Sequence, residues 1–477
     1  MTEIGPATEE GGPHATMPAG FGTATATFVV VSSMVGVGVL TTSGLTVVEV
    51  GSNALMLGLW AVGGGVALCG ALSLAELAAM LPRSGGEYVF LREAYGPRLA
   101  FLAGWASLLL GFAAPIAASS WAASAYLLAP LAMPEAAARW ARPATATAGI
   151  VAFAALHATA RRRAARAQGL VTTVELAILV GFVVAGLVAG RDGWGGLDDL
   201  PTVDAGLVGR LLFSMVYVAY GYTGWNAAAY LAGEVADAPR RLPRAILLGT
   251  LGVTALYLGL NLVYALALPA GTVRAIAVDE GRDAVGPIAE RAARALFGPG
   301  WSGPFSVALG LILLATAGAY LLTGPRVMYA MARDGHFPAV AARLTRRHRT
   351  PAVATGLLAG MALVLLWTGS FEAIVVYAGV GLALSSMLSV AAVYVLRARR
   401  PDLPRPFRVP GYPAVPAVYL CGTAAVVVAA FVREPGVSAL SAASLLVALP
   451  AYDLWVRRGG RAPDGLAAGG GRDTLEQ

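Results

Sequence analysis

The sequence predicts an all-α integral membrane protein with twelve transmembrane helices, arranged as a five-plus-five inverted repeat in which helices 1 and 6 are discontinuous. Three observations support this fold class. Of the 477 residues, 57% are hydrophobic and 13% are charged, whereas soluble proteins carry about 25% charged residues. Twelve apolar runs approach the roughly 20 residues that a spanning helix needs. Two of these runs, five spans apart, are interrupted by glycines.

The twelve predicted spans leave only short loops between them. We place the spans at residues 24–48, 54–81, 99–128, 144–159, 170–189, 207–231, 246–268, 306–329, 353–367, 374–395, 415–432 and 437–455. Spans 1–5 form a first repeat over residues 23–190, spans 6–10 form a second over 207–396, and spans 11 and 12 follow over 412–456. Residues 1–22 and 457–477 are polar or rich in glycine, which predicts disordered tails. Residues 281–298, in the largest outer loop, predict a short amphipathic helix on the outer surface.

The arginines predict the orientation of the chain. There is no lysine, so all 34 basic residues are arginines, and 25 of them fall on one side of the predicted spans. Cytoplasmic loops of membrane proteins carry an excess of basic residues. We therefore predict a multi-pass protein of the cell membrane with both termini in the cytoplasm. The net charge of +7 is mostly this topology signal and does not indicate a nucleic-acid partner.

The sequence indicates neither an enzyme nor an ATP-driven pump. A chain without lysine cannot contain the phosphate-binding motif G-x-x-x-x-G-K-[ST]. The four histidines are scattered, so no cluster of metal ligands is predicted; they are His14, His157, His336 and His348. We predict no cofactor and no metal.

The two interrupted spans are the predicted binding site. Span 1 carries Gly36 and Gly38 at its centre, and span 6 carries Gly221 and Gly224. Matched breaks in two halves are typical of inverted-repeat transporters, in which they form a site at the membrane midplane. Unwound backbone is tolerated inside a membrane only where it lines a cavity or meets a ligand. The alternative is that these glycines only allow helices to pack closely.

An amino acid zwitterion would satisfy both kinds of backbone group that a break frees. We expect its carboxylate to bind the amides of Gly36, Val37 and Gly38, at the positive end of the second half-helix. We expect its ammonium group to bind carbonyls freed near Met34, Val35, Tyr220 and Gly221.

Six blocks of the sequence resemble amino acid permeases of the amino acid/polyamine/organocation superfamily. They are MVGVGVLTTSG from Met34, AEL from Ala75, PRSGGEY from Pro82, YTGWNAAAYLAGEVADAPRRLPRAI from Tyr222, GPRVMYAMARDGHFP from Gly324 and RPDLPRPFRVPGYPAVP from Arg400. The blocks follow the family order over nearly the whole chain. The GWN triplet that begins at Gly224 is most similar to the L-type amino acid transporters and their bacterial relatives.

The resemblance implies the twelve-helix inverted-repeat transporter fold and secondary transport of amino acids. It implies that Tyr220 is a thin gate over the substrate and that Asn226 lies near it. In this branch the middle residue of the glycine triplet is often a small hydroxyl residue, whereas here it is Val37, so the backbone must do more of the carboxylate binding. The predicted substrate-binding residues are Met34, Val35, Gly36, Val37, Gly38, Tyr220, Gly221, Tyr222, Thr223, Gly224 and Asn226.

Glu175 is the predicted candidate for proton coupling. It lies about one turn into the fifth span, with no basic residue nearby in sequence, and a carboxylate in the membrane is costly unless it is paired or protonated. Some proton-coupled relatives have a lysine at the matching position, so Glu175 departs from the resemblance. The alternative is that Glu175 lies at the inner interface and pairs with an arginine such as Arg326.

Three further glutamates are predicted to serve gating and not substrate binding. Glu76, Glu87 and Glu234 lie near cytoplasmic ends of spans, where ion pairs can lock an inward gate. Their expected partners are Arg83, Arg92 and Arg240.

The sequence thus predicts a secondary active transporter that moves amino acids by alternating access. Neutral amino acids are the favoured substrate class. Proton symport and exchange both remain open. The alternatives are a membrane amino acid sensor that does not transport, and a carrier of polyamines or cationic amino acids. The predicted partners are the amino acid substrate, protons and the lipid bilayer. A disulfide-linked heavy chain is not expected, because the outer loop over residues 130–143 has no cysteine.

Overall fold

The computed structural model describes residues 22–83, 85–131, 133–159, 161–190, 193–197, 204, 206–333, 337–345 and 350–457. Apart from Gly22 and Arg457, both predicted tails lie outside these residues, as do His14, His336 and His348. The described residues contain nineteen α-helices and no β-strand. The helices are α1 (Thr23–Met34), α2 (Ser43–Val50), α3 (Asn53–Met80), α4 (Glu87–Tyr95), α5 (Pro97–Ala106), α6 (Ala114–Leu128), α7 (Glu135–Thr159), α8 (Arg161–Ala189), α9 (Leu207–Gly221), α10 (Ala227–Tyr230), α11 (Ala238–Ala267), α12 (Ala270–Asp279), α13 (Ile288–Phe297), α14 (Pro299–Arg333), α15 (Ala352–Thr368), α16 (Phe371–Arg399), α17 (Ala414–Arg433), α18 (Pro435–Leu446) and α19 (Ala448–Arg457).

Nine segments within the described residues are long and apolar enough to cross a membrane. They are Thr23–Val50, Asn53–Met80, Pro97–Leu131, Gly169–Ala189, Ala238–Ala267, Pro299–Tyr329, Phe371–Arg399, Ala414–Arg433 and Pro435–Leu454. The predicted spans 6 and 9 fall on the shorter apolar helices α9 and α15, and span 4 falls on α7. The chain is therefore an all-helical membrane protein, while the number of twelve spans and the inverted repeat stay predictions.

Three of the helix contacts join spans that hold equivalent positions in the two predicted repeats. The second span of each repeat packs against its counterpart, as α3 against α11, and the third spans do the same, as α6 against α14. The fourth spans, α7 and α15, are also in contact. The broken helices lie within this arrangement, because α1 packs on α11 and α9 packs on both α16 and α17.

The third span holds an irregularity that the sequence did not indicate. A seven-residue π-helical turn, Ser107–Ala113, joins α5 to α6. Single π turns inside α-helices are frequently found at functional sites. Ser107 and Phe112 of this turn lie on the wall of the cavity described below.

Candidate functional site

The first break separates α1 from α2. Val35 has extended backbone (φ −70°, ψ 127°), and a π-helical turn then leads into α2. The amides of Gly36, Val37 and Gly38 precede the first hydrogen-bonded turn of this second piece. Among the described residues, none of the three donates to a carbonyl of a turn, loop or cap. Free amides at the start of a helix can bind an anion.

The second break separates α9 from α10. α9 ends at Gly221, and residues 222–226 form a turn before α10 begins. Within that turn Gly224 has φ +105°, a conformation that only glycine adopts without strain. A Cβ atom at Gly224 would lie 2.4 Å from the carbonyl oxygen of Ser33. The second break is therefore packed directly against the end of α1.

The two breaks meet. A Cβ atom at Gly38 would lie 2.4 Å from the Cα atom of Gly221, so the backbones approach as closely as two glycines allow. The hydroxyl of Tyr257, on α11, lies within hydrogen-bonding distance of the carbonyls of both Met34 and Gly221. The structure therefore joins the last carbonyl of α1 and that of α9 through one hydroxyl group.

An aromatic cluster supports the breaks from the side of α3. The ring of Trp60 lies 5.3 Å from that of Tyr257 and 5.6 Å from that of Tyr222. The Tyr222 hydroxyl donates to the carbonyl of Trp60 at 2.9 Å. All three side chains are buried, so the turn after Gly221 is held by rigid packing.

A cavity of about 460 Å³ lies beside the breaks. Its wall is formed by α1, α3, α4, the third span (α5, its π turn and α6), α9, α10, α14, α16 and α17. Four predicted residues line it, namely Tyr222, Thr223, Gly224 and Asn226, and α1 contributes Val29 and Ser33. The other predicted binding residues lie behind this wall; they are Met34, Val35, Gly36, Val37, Gly38, Tyr220 and Gly221. The structure therefore brings the two breaks together, and the cavity is lined from α1 and α9 but not from α2.

Glu87 departs from its expected place. Its side chain is 7% exposed and lines the cavity. The carboxyl group is placed to accept hydrogen bonds from the side chains of Asn226 and Ser389, and no ion pair with Arg92 is present in the described part of the chain. The expectation of a gating pair at Glu87 is wrong, because α4 turns this side chain inward.

Glu76 is paired, but with a different arginine than expected. Its two carboxylate oxygens accept hydrogen bonds from Arg397 at 2.8 and 2.6 Å, and the backbone N–H of Val409 donates at 2.7 Å. This pair ties α3 to the end of α16 and to the loop that follows it. Among the described residues, no ion pair involves Glu234.

Glu175 is buried in the protein, whereas the alternative placed it at the inner membrane interface. It is 3% exposed, and its Oε1 atom has no hydrogen-bond partner within the described residues. The hydroxyl groups of Tyr257 and Tyr320 lie within electrostatic range of it. No ion pair joins Glu175 to Arg326 in the part of the chain that the structure describes.

A charged network, which we call the Arg282 network, closes the other side of the breaks. Arg282 donates to both carboxylate oxygens of Glu372 at 2.9 Å and to Glu49 at 2.8 Å. Tyr217 donates to Glu372, and Arg433 contacts Glu49 at 3.2 Å. The network links α2 and α9 to α16, α17 and the loop between α12 and α13. No pattern in the sequence indicates this network, because its five residues come from five separate segments.

Comparisons with known proteins agree on one family. The sequence profile of the family described as "Amino acid permease" matches residues 21–449. The chain is 28% identical to the human Asc-type amino acid transporter 1 over 437 residues, covering 90% of this chain and 80% of that protein. It is 29% identical to the human large neutral amino acids transporter small subunit 2 over 465 residues, covering 95% and 84%. It is 28% identical to the human b(0,+)-type amino acid transporter 1 over 386 residues, covering 80% and 77%.

Proposed function

The chain belongs to the amino acid permease family, and from this premise we propose that it is a secondary active transporter of amino acids. It works by alternating access, and neutral amino acids are its favoured substrates. The observation that carries the proposal is the meeting of two broken helices, at Gly38 and Gly221, beside a cavity of about 460 Å³. A cavity of this size suits a small molecule.

The free backbone groups suit the two ends of an amino acid. The amides of Gly36, Val37 and Gly38 bind the substrate carboxylate at the start of a helix. A hydroxyl group carries one hydrogen, so Tyr257 donates to only one of its two carbonyl neighbours at a time. The other carbonyl, of Met34 or Gly221, is then available to the substrate ammonium group.

The remaining predicted residues contact the substrate side chain or close over the substrate. Thr223 and Asn226 face the cavity and contact the substrate side chain. Tyr220 is 4% exposed and lies behind the cavity wall, from where a small movement of α9 brings its ring over the substrate as a thin gate.

Alternating access follows from the position of the Arg282 network relative to the cavity. With the predicted orientation, the network closes the outer end of α2 and α9, while Val29 and Ser33 of α1 and Glu87 of α4 give the cavity a wall on the cytoplasmic side of the breaks. Transport then requires the network to open as α1 and α10 close over the cavity. A substrate that binds the closed arrangement more tightly than either open one drives this exchange.

Glu175 is our candidate for the coupling proton. It is buried within electrostatic range of Tyr257, whose hydroxyl lies against both breaks, so a charge on Glu175 acts on the residue that joins them. Without such coupling, the protein is an obligate exchanger.

Uptake into proteoliposomes tests the proposal. We expect radiolabelled neutral amino acids to accumulate or to exchange, and a proton gradient to drive accumulation by the wild type but not by Glu175→Gln. The control is Glu434→Gln, at the exposed end of α17. Gradient-driven uptake that survives in Glu175→Gln would remove the coupling role. Binding without accumulation or exchange would favour a sensor.

We further propose that the protein acts in the cell membrane without a disulfide-linked partner. Its two cysteines lie on α3 and α17, and the loop over residues 130–143 has none. The expected ligands are the amino acid and protons, within the lipid bilayer.

A further inference from the structure

Glu87 is the one charged residue among the described residues that line the cavity. Apart from the amide of Asn226, the rest of the wall is apolar, aromatic or hydroxyl-bearing. The mechanism proposed above gives Glu87 no role. A buried carboxylate is costly unless it is paired or protonated, so its presence in this wall calls for a physical reason.

Glu87 joins the second break to a helix outside it. It is the first residue of α4, and its carboxyl group reaches Asn226, at the end of the break, and Ser389 on α16. Both partners are neutral, so they can orient a carboxylate but cannot balance its charge.

Three arginines around α4 have partners other than Glu87. On α16 and just after it, Arg397 pairs with Glu76 and Arg400 pairs with Glu93 at 2.6 Å. At the start of α5, Arg98 pairs with Asp453 at 2.6 Å. Each of these arginines has an acceptor other than Glu87.

The titratable groups that face Glu87 are two tyrosines, Tyr230 of α10 and Tyr419 of α17. Neither supplies a positive charge. Burial raises the pKa of Glu87 above its ordinary range, against the opposing effect of the hydrogen bonds from Asn226 and Ser389. The carboxyl group therefore holds a proton to a higher pH than an exposed glutamate does.

A second observation points to a ligand at the same wall. Ser385 is 2% exposed and lines the cavity, yet its hydroxyl group has no hydrogen-bond partner among the described residues. The aromatic rings of Trp225, Tyr230 and Tyr419 line the cavity as well. A carboxylate, a free hydroxyl and aromatic faces together suit an organic ammonium group.

We propose that Glu87 determines the net charge that is transported, because it requires one positive charge in the substrate-bound cavity. This inference rests on the proposed transport function. A cationic amino acid supplies the charge through its side-chain ammonium group, which binds Glu87 and Ser385. A neutral amino acid brings no such group, and a proton on Glu87 supplies the charge instead. The loaded cavity then carries the same charge with either substrate.

Charge movement in proteoliposomes tests the proposal with leucine and lysine as probes. For the wild type we expect leucine and lysine to move the same charge, because a proton carried by Glu175 accompanies either substrate. In Glu87→Gln, leucine should move with one positive charge fewer than in the wild type. Lysine should compete with leucine roughly tenfold less well or worse, since its buried charge has lost its partner.

Two variants keep the result interpretable. Glu87→Asp retains a carboxyl group and should restore part of the charge movement, and Glu434→Gln should behave as the wild type. Melting temperatures of all variants show whether they fold. If Glu87→Gln loses only the charge that moves with leucine, Glu87 acts by carrying a proton. If Glu87→Gln loses only the competition by lysine, Glu87 acts by binding the substrate ammonium group. If Glu87→Gln matches Glu434→Gln in both readouts, the proposal is wrong.

Failure of transport itself is separable from failure of this inference. If the wild type moves no amino acid in either direction, the proposed function fails. Thermal shifts of the purified wild type and Glu87→Gln with lysine then still test the subsite, since a ligand that binds the folded state stabilises it. An equal shift for both proteins would overturn it.

Discussion

At the residue scale, the site depends on backbone approach more than on side chains. The glycines at the centres of spans 1 and 6 predicted the two breaks, because a spanning helix rarely needs glycines at its centre. It could not show that Gly38 lies against Gly221, since the two are far apart in the chain. Tyr257 was missed for a related reason. A tyrosine in an apolar helix carries no signal of function until its hydroxyl is placed against two broken helices.

Gly38→Ala tests the contact between the breaks. The new Cβ atom would lie 2.4 Å from the Cα atom of Gly221, so one backbone must move. Overpacking of this kind costs about 1–3 kcal/mol. We expect a lower melting temperature and at least a severalfold loss of uptake. Gly65→Ala is the control, because Gly65 is exposed on α3 and has open space around its Cβ position. Equal uptake by the two variants would contradict the close contact.

At the scale of helices, long apolar runs made most of the long apolar helices predictable. A short amphipathic helix within residues 281–298 was also predicted, and its location on the outer surface stays a prediction. α13 is that helix, and it packs through Ile288 and Ala292 against the bundle. The π turn in the third span and the separate helices α4 and α12 were not predicted. Their formation depends on neighbouring elements that local periodicity does not report. The inward turn of α4 decides where Glu87 lies, so this local failure also led to the wrong role for that residue.

Arg282→Gln tests the Arg282 network as an outer gate. Its loss removes charge-assisted hydrogen bonds to Glu49 and Glu372, each of which contributes about 1.5–3 kcal/mol. We expect α2 and α9 to open more often, so that a cysteine at Thr46, now buried, reacts severalfold faster with a membrane-impermeant maleimide in a cysteine-free background.

Arg294→Gln is the matched control for this gate. Arg294 pairs with Glu290 on its own helix, α13, and within the described residues it forms no ion pair with another element. Its loss should leave the labelling of Thr46→Cys unchanged. Similar labelling rates in Arg282→Gln and Arg294→Gln would show that the Arg282 network does not hold the outer side closed.

At the scale of the whole molecule, the breaks divide the protein into two unlike ends. One end is closed by the Arg282 network, and the other holds the cavity with Glu87 at its wall. The sequence could predict neither feature, since both depend on contacts between distant segments. The arginines, which gather on the side of α4 and of the loop after α14, predict which end faces the cytoplasm, and this orientation stays a prediction. Which side of the membrane this state opens to therefore depends on the orientation alone.

Cysteine labelling of intact cells tests that orientation. In a chain without Cys69 and Cys421, we place single cysteines at Thr272, exposed on α12, and at Arg343, exposed in the loop after α14. An impermeant maleimide should label Thr272→Cys in intact cells but Arg343→Cys only after permeabilisation, because a charged reagent does not cross the bilayer. The opposite pattern would place the cavity on the outer side. The Arg282 network would then be a cytoplasmic gate, and Glu87 would meet its proton or ammonium group from outside the cell.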